Sequence, residues 1–263
     1  MKKLRFIFVW IPILGYLIII SGFISGSEED LLCNSVNINI TDSITTKFIY
    51  KEDIIALLSQ NNHKILGHPV NNIDLKELEK LLISHHAIKN SELYITEKGK
   101  LNIEIIQHKP VVRIINRKNK GYYIAEDGSI IPLSKNFSPF VIVVSGHIAE
   151  PFNIRKTNNI MDIDIGRLNK KEKVIYDIFQ LVKYISQDEF WNSQIVQIYV
   201  NNKYEFELIP RVGPHIIEFG GISYFKEKFE KLETLYLEGL NKNGWNKYTK
   251  LNLKFKNQIV CIK

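Results

Sequence analysis

The side chains best suited to hold a metal or activate a nucleophile in this 263-residue chain are seven histidines and two cysteines. Their spacing argues against both chemistries. His63, His68 and the adjacent His85 and His86 lack the i, i+4 helical pairing with a nearby Glu that gathers zinc on one helix face, so they read as loop and helix-end residues. Cys33 and Cys261 have no metal-ligand spacing and are too few for a disulfide framework. Buried free thiols are expected, with a single bridge in an oxidising compartment as the alternative. A hydrolase needs a nucleophile, a base and an orienting group, and the chain has no Gly-x-Ser-x-Gly elbow. Gly213, Gly220 and Gly221 lack phosphate-loop spacing and read as turn residues flanking a strand. The expectation is a non-enzymatic protein with no cofactor, no metal and no small-molecule substrate.

The formal net charge of +7 raises nucleic acid as a partner, but the lysines are scattered through helix-like and strand-like stretches. No dense basic block interleaves with aromatics, so no nucleic-acid binding is expected. A hydrophobic content of 45% suffices to fill real cores and excludes a disordered chain.

The N-terminus decides the compartment. Phe6 to Ile24 carries no charge, and about 19 residues at 1.5 Å rise nearly cover a bilayer's hydrocarbon core, which predicts a transmembrane helix. Lys2, Lys3 and Arg5 precede it while Glu28, Glu29 and Asp30 come after it, so the stub at 1–5 is placed in the cytoplasm and the rest outside. A secretory signal peptide is the alternative, since Ser21-Gly22 and Ser25-Gly26-Ser27 offer small residues for cleavage.

After a linker at 25–33, Val36 to Ile40 alternates with period two and predicts a strand. Lys51 to Gln60 predicts a short helix ending at Asn61-Asn62, and Asp74 caps a second one carrying the Leu75, Leu78, Leu81, Leu82 stripe, with Glu77 in capping-box position. Leu93 and Ile95, then Lys98-Gly99, then Leu101, Ile103 and Ile105 predict a hairpin, giving the order β-α-α-β-β. Beyond Pro110 short strands alternate with turns: Val111 to Ile115, Tyr122 to Ala125, Ile130 to Leu133 and Val141 to Val144. Helices are expected over Lys170 to Gln187 and Ser223 to Asn241, and strands over Ile195 to Val200, Tyr204 to Ile209 and Ile216 to Phe219. Tyr248 to Phe255 and Gln258 to Ile262 flank Lys256-Asn257 and predict a terminal antiparallel hairpin on or near a sheet edge. The expected fold class is α+β: one transmembrane helix, a β-α-α-β-β domain and a mostly antiparallel β-domain with flanking helices.

This order, with a stub and one span in front of it, resembles the FtsQ/DivIB family of cell-division proteins, whose first exported module is a POTRA domain. Gln107-His108-Lys109-Pro110-Val111-Val112-Arg113 is similar to the family's Glu-Arg-x-Pro-x-Ala junction, keeping Pro110 but not the leading acid-base pair. Tyr123 to Ile131 resembles the Val-Asp-x-x-Gly-x-Val strand-turn-strand, and Leu251-Asn252-Leu253-Lys254-Phe255 stands where the family has Asp-Leu-Arg-Tyr. The resemblance implies a POTRA-like domain over 34–108 and a β-domain over 109–263. It also implies a division scaffold at the septum, held in the inner membrane by residues 6–24, with its C-terminal domain in the periplasm. The expected partners are FtsB/DivIC-like and FtsL-like proteins, added as a strand at the last edge. By position, Phe255, Gln258, Ile259, Val260 and Cys261 are the candidate partner-binding residues; the competing reading is a capped hairpin whose apolar members face the core. A POTRA-type export adapter and a membrane-anchored envelope enzyme are the other functional readings. The short stub and the lack of a long C-terminal tail point to a bounded periplasm.

Overall fold

The structure, a computed structural model, describes residues 12–20, 31–41, 46–60, 65–117, 120–135, 137–150 and 159–263. Residues 12–20 are helical and mostly exposed, while 1–11 and 21–30, which contain the rest of the predicted span and most of the linker, lie outside the described residues. No helix among the described residues is long and apolar enough to cross a membrane. The chain divides into two compact units, Met1–Gln107 and His108–Lys263.

In the first unit, β1 (Ser35–Thr41), α1 (Lys51–Gln60), α2 (Leu75–Ile83), β2 (Ile88–Ile95) and β3 (Lys100–Gln107) come in the predicted order. The predicted end of α1 at Asn61-Asn62 lies outside the described residues. The period-two residues explain the sheet: β1 runs parallel to β3 with Ile38 opposite Ile103 and Ile40 opposite Ile105, and β2 pairs with β3 antiparallel. These isoleucines are buried with Ile54 of α1 and Leu78 and Leu82 of α2. The Asp74 side chain accepts from the Glu77 backbone N–H at 3.0 Å, an N-cap worth about 1 kcal/mol. Gly99 turns the hairpin at φ +72, and a Cβ there would stand 2.3 Å from the Leu32 carbonyl oxygen, so only glycine fits. Buried Gln107 ends the unit: its Oε1 accepts from the N–H groups of Phe48 and Ile49 at 3.0 and 3.2 Å, and its Nε2 donates to the Thr46 carbonyl at 2.7 Å.

Among the described residues the second unit is one nine-stranded sheet with helices. Its elements are β4 (Pro110–Ile115), β5 (Gly121–Ala125), β6 (Ile130–Pro132), β7 (Ile142–Gly146), α3 (Lys170–Gln187), α4 (Glu189–Gln194), β8 (Ile195–Val200), β9 (Phe206–Pro210), β10 (Ile216–Gly220), α5 (Phe225–Thr234), β11 (Lys250–Asn252) and β12 (Val260–Ile262). The strand order is β12-β11-β10-β9-β8-β7-β4-β5-β6. Pairs β4/β7, β7/β8 and β10/β11 are parallel and the other five antiparallel, so the sheet is mixed with an antiparallel majority. A buried row of Tyr122, Ile114, Val144, Ile198, Leu208, Ile217 and Leu251 crosses the sheet and joins one apolar cluster with α3, α4 and α5. Asn169 and Glu172 close a reciprocal capping box that starts α3.

Three expectations need correction. The helix expected from Ser223 begins at Phe225, because Tyr224 takes a left-handed φ of 55, and it continues through a π-helical turn at Leu235–Leu240. The short helix α4 is not among the expected elements. The two terminal strands are three residues each, and the connection between them runs over 253–259 instead of Lys256-Asn257 alone.

Candidate partner-binding edge

β12 is the outermost strand, with β11 as its sheet neighbour among the described residues. Its register sets Ile262 opposite Lys250, Cys261 opposite Leu251 and Val260 opposite Asn252. Alternation therefore turns Cys261 toward buried Leu251 and the core cluster, while Val260 (36% exposed) and Ile262 (44%) face outward. A strand in this position offers unpaired backbone N–H and C=O groups along its free side.

Side chains hold the hairpin from three directions. Lys231 of α5 donates from Nζ to the carbonyls of Phe255 and Lys256 at 2.8 and 2.9 Å. The Lys254 ammonium lies 2.8 Å from Glu205 Oε2, a contact that raises the lysine's pKa and lowers the carboxylate's. Asn252 donates to Glu218 Oε2 at 3.0 Å and accepts from the Lys254 N–H at 3.0 Å, which ends β11 by bending the backbone away from the ladder. Lys250 Nζ lies 3.4 Å from the other Glu218 oxygen.

The structure thus separates the five candidate residues. Val260 and Cys261 lie on β12; Phe255, Gln258 and Ile259 lie in the loop before it, which corrects their placement on an edge strand. Phe255 (49% exposed) and Gln258 face solvent, whereas Ile259 packs against the core with Cys261, whose thiol is pushed up in pKa by burial. For Ile259 and Cys261 the competing reading, apolar members facing the core, describes the side chains. Ile262 and the pinning residues Glu205 and Lys231 were missed. The alternation through Cys261 carried the signal for Ile262, but the two pins join distant parts of the sequence.

The residues weighed for catalysis and metal binding remain dispersed. His68 and His86 are exposed, His85 accepts from the Ala87 N–H at 3.2 Å at the end of α2, and His63 lies outside the described residues. Among the described residues no three His, Cys, Asp or Glu side chains could hold a metal ion. Ser223 and Lys226 stand at the Ser-x-x-Lys spacing of transpeptidase nucleophiles, but both side chains are exposed, without the water-excluded setting that activates such a pair. Cys33 and Cys261 are both free.

Comparison with family models gives the sheet a lineage. The model described as FtsQ/DivIB, C-terminal related, matches residues 109–262, more than half of the chain. The chain belongs to the FtsQ/DivIB family. A POTRA-like domain model matches residues 31–106, the region of the β-α-α-β-β unit. No curated protein matches the chain. The FtsQ/DivIB family is a non-enzymatic family of division proteins, and membership assigns the chain to cell division and points to a scaffold role. In this FtsQ/DivIB chain the two matched regions meet at Gln107, whose amide is spent inside the first unit, and His108, whose Nδ1 lies 3.2 Å from Asp127 Oδ2 in the second.

Proposed function

We propose that this FtsQ/DivIB-family protein is a division scaffold, anchored in the inner membrane by residues 6–24, that binds FtsB/DivIC-like and FtsL-like partners outside the cytoplasm by strand addition at β12. The observation that carries the reading is β12 itself, a terminal strand with one sheet neighbour among the described residues and an outward pair of apolar side chains. Strand addition satisfies the free backbone groups and supplies affinity, while Val260 and Ile262, on one face of the strand, supply specificity. The loop carbonyls held by Lys231 favour recognition because the edge is ordered before a partner arrives. The charge order around residues 6–24, basic before and acidic after, supports an N-terminus in the cytoplasm and the two units in the periplasm at the septum.

The test is co-purification of the full chain, in detergent, with FtsB- and FtsL-like proteins of the same organism. It is run beside the double variant Val260→Asp/Ile262→Asp and a chain ending at Asn257, with folding checked by circular dichroism. Capture by the intact chain that is lost in folded variants is expected. Absence of capture by the intact chain would remove the proposal and leave the export-adapter reading in its place.

A further inference from the structure

His215 is 1% exposed and directly precedes β10. Its Nε2 lies 2.9 Å from the Tyr236 hydroxyl, and its ring meets Tyr236 edge-on at 5.6 Å and stacks over Trp245 at 6.5 Å. Tyr236 in turn packs on Trp245 at 5.1 Å and Trp191 at 5.6 Å, so the imidazole closes one side of an aromatic box. The turn before it is fitted to the ring: Gly213 has φ +83, and a Cβ there would stand 2.7 Å from His215 Nδ1 and 3.3 Å from the Trp245 carbonyl oxygen. Nothing in the scaffold reading uses this group.

Its backbone position links it to the edge. Next to His215, the Ile216 N–H donates to the Thr249 carbonyl at 2.9 Å, and the Thr249 N–H donates to the Ile262 carbonyl at 2.8 Å. Two hydrogen bonds therefore join the residue after the imidazole to the outward-facing end of β12. Trp245, which stacks on the ring, lies on the segment that leads into β11.

We infer that His215 is a pH-sensitive prop for the partner-binding edge, and that its protonation loosens the segment of Trp245 and frees β11 and β12 from β10. The warrant is the surroundings of the ring. The helical side presents Tyr236, a phenol, as its titratable group; the segment before β11 presents the Trp245 backbone; its own turn presents Gly213. Burial lowers the imidazole's pKa, the Trp245 backbone opposes it, and among the described residues no carboxylate adds to this balance. With the neutral ring's proton on Nδ1, the side facing the Trp245 backbone, Nε2 accepts the Tyr236 proton; protonation makes Nε2 a donor, so the phenol must turn its proton away inside a packed core. The cation is thus poorly served in the closed state and better served once the box opens to water. The prop concerns the hairpin itself, and its effect on partners rests on the strand-addition reading.

Cys261 is the reporter, because it faces inward on β12 and is a free thiol. The full chain in detergent is treated with methyl methanethiosulfonate at about pH 5 and about pH 8, the range in which histidine changes charge. Modification is read on the peptide containing residue 261, and the ratio of wild type to His215→Gln at each pH cancels the thiol's own ionisation. A ratio several-fold higher at the acidic pH is expected. Equal ratios would overturn the inference. Should the variant fail to fold, imidazole NMR of the wild type decides: His215 must titrate below the ordinary histidine range while the Leu251 and Cys261 amides lose protection in step. Unchanged protection through that titration overturns it equally. Neither readout contains a partner, so a failure here leaves strand addition standing, and a failure of capture at the higher pH falls on strand addition alone.

Discussion

The two edges of the nine-stranded sheet face the same hazard and treat it differently. β6 is three residues long and ends in Pro132, which has no N–H to offer a further strand. Its approach is covered as well: Ser129 bridges to Asn159, the Ile160 N–H donates to the Gly128 carbonyl at 3.0 Å, Asn159 Nδ2 donates to the Asp127 carbonyl at 3.0 Å, and Tyr176 of α3 donates to the Ile160 carbonyl. β12 is equally short, has no proline and turns Val260 and Ile262 outward. Among the described residues, four contacts cover the β6 edge and none of that kind covers β12, so the two edges are protected unequally.

The comparison can be broken first beneath the open edge. Leu251→Ala empties a fully buried position of β11 and should cost about 3 kcal/mol, read by denaturant unfolding of the full chain. A loss below about 1 kcal/mol would mean that the hairpin is only loosely attached to the core. At the closed edge, Asn159→Ala removes the bond to the Asp127 carbonyl and the cap on the Met161 N–H, and should cost about 1 kcal/mol. Amide exchange should then rise along β6 and stay unchanged along β12.

Acid should separate the two edges without mutation. At the closed edge burial opposes ionisation of Asp127, but the hydrogen bonds from His108 and the Ser129 backbone win and hold its carboxyl well below the usual range. A depressed carboxylate contributes stability above its unfolded pKa of about 4, and that contribution is lost as pH falls from there through the folded value. His215 shifts with the same sign but for the opposite reason, because burial favours its neutral form: its folded pKa is lowered, so its loss begins as pH falls below the unfolded value of about 6.5. The open edge should therefore loosen first on acidification, and the β5–β6 turn only below about pH 4, as amide protection tracked residue by residue would reveal. Asp127→Asn should abolish only the lower step. The smallest effect is expected from Lys254→Ala, which breaks a half-exposed pair with Glu205 and should shift stability by about 0.5 kcal/mol or less.

Most elements were legible because apolar period and local caps agree. α1 and α3 coincide with their predicted spans, Lys51–Gln60 and Lys170–Gln187, since each carries an apolar stripe over at least two turns. α4 escaped because six residues hold too little period; its one local signal is Asp188, whose side chain accepts from the Trp191 N–H at 2.9 Å. The terminal strands were read too long because Leu251 and Leu253, and Ile259 and Cys261, alternate whether or not they pair. Pairing stops where Asn252 turns to the Lys254 N–H and where Lys231 draws the next carbonyls toward α5. The parallel pairing of β10 with β11 joins strands separated by a helix, and no local pattern announces it. The open edge could be placed near the C-terminus from sequence, but the sorting of its side chains into outward and inward required the register.

The order β1-β3-β2 in the first unit has a mechanical consequence. β1 begins at Ser35 on the N-terminal side, β3 ends at Gln107 where the second unit starts, and the two run parallel from Ser35 opposite Lys100 to Thr41 opposite Ile106. Tension along the chain would pull the start of one strand against the far end of the other. All the bonds of that ladder would then bear the load together in shear, instead of parting one at a time as in a zipper. Extension between Ser35 and Gln107 is thereby resisted by the whole ladder at once.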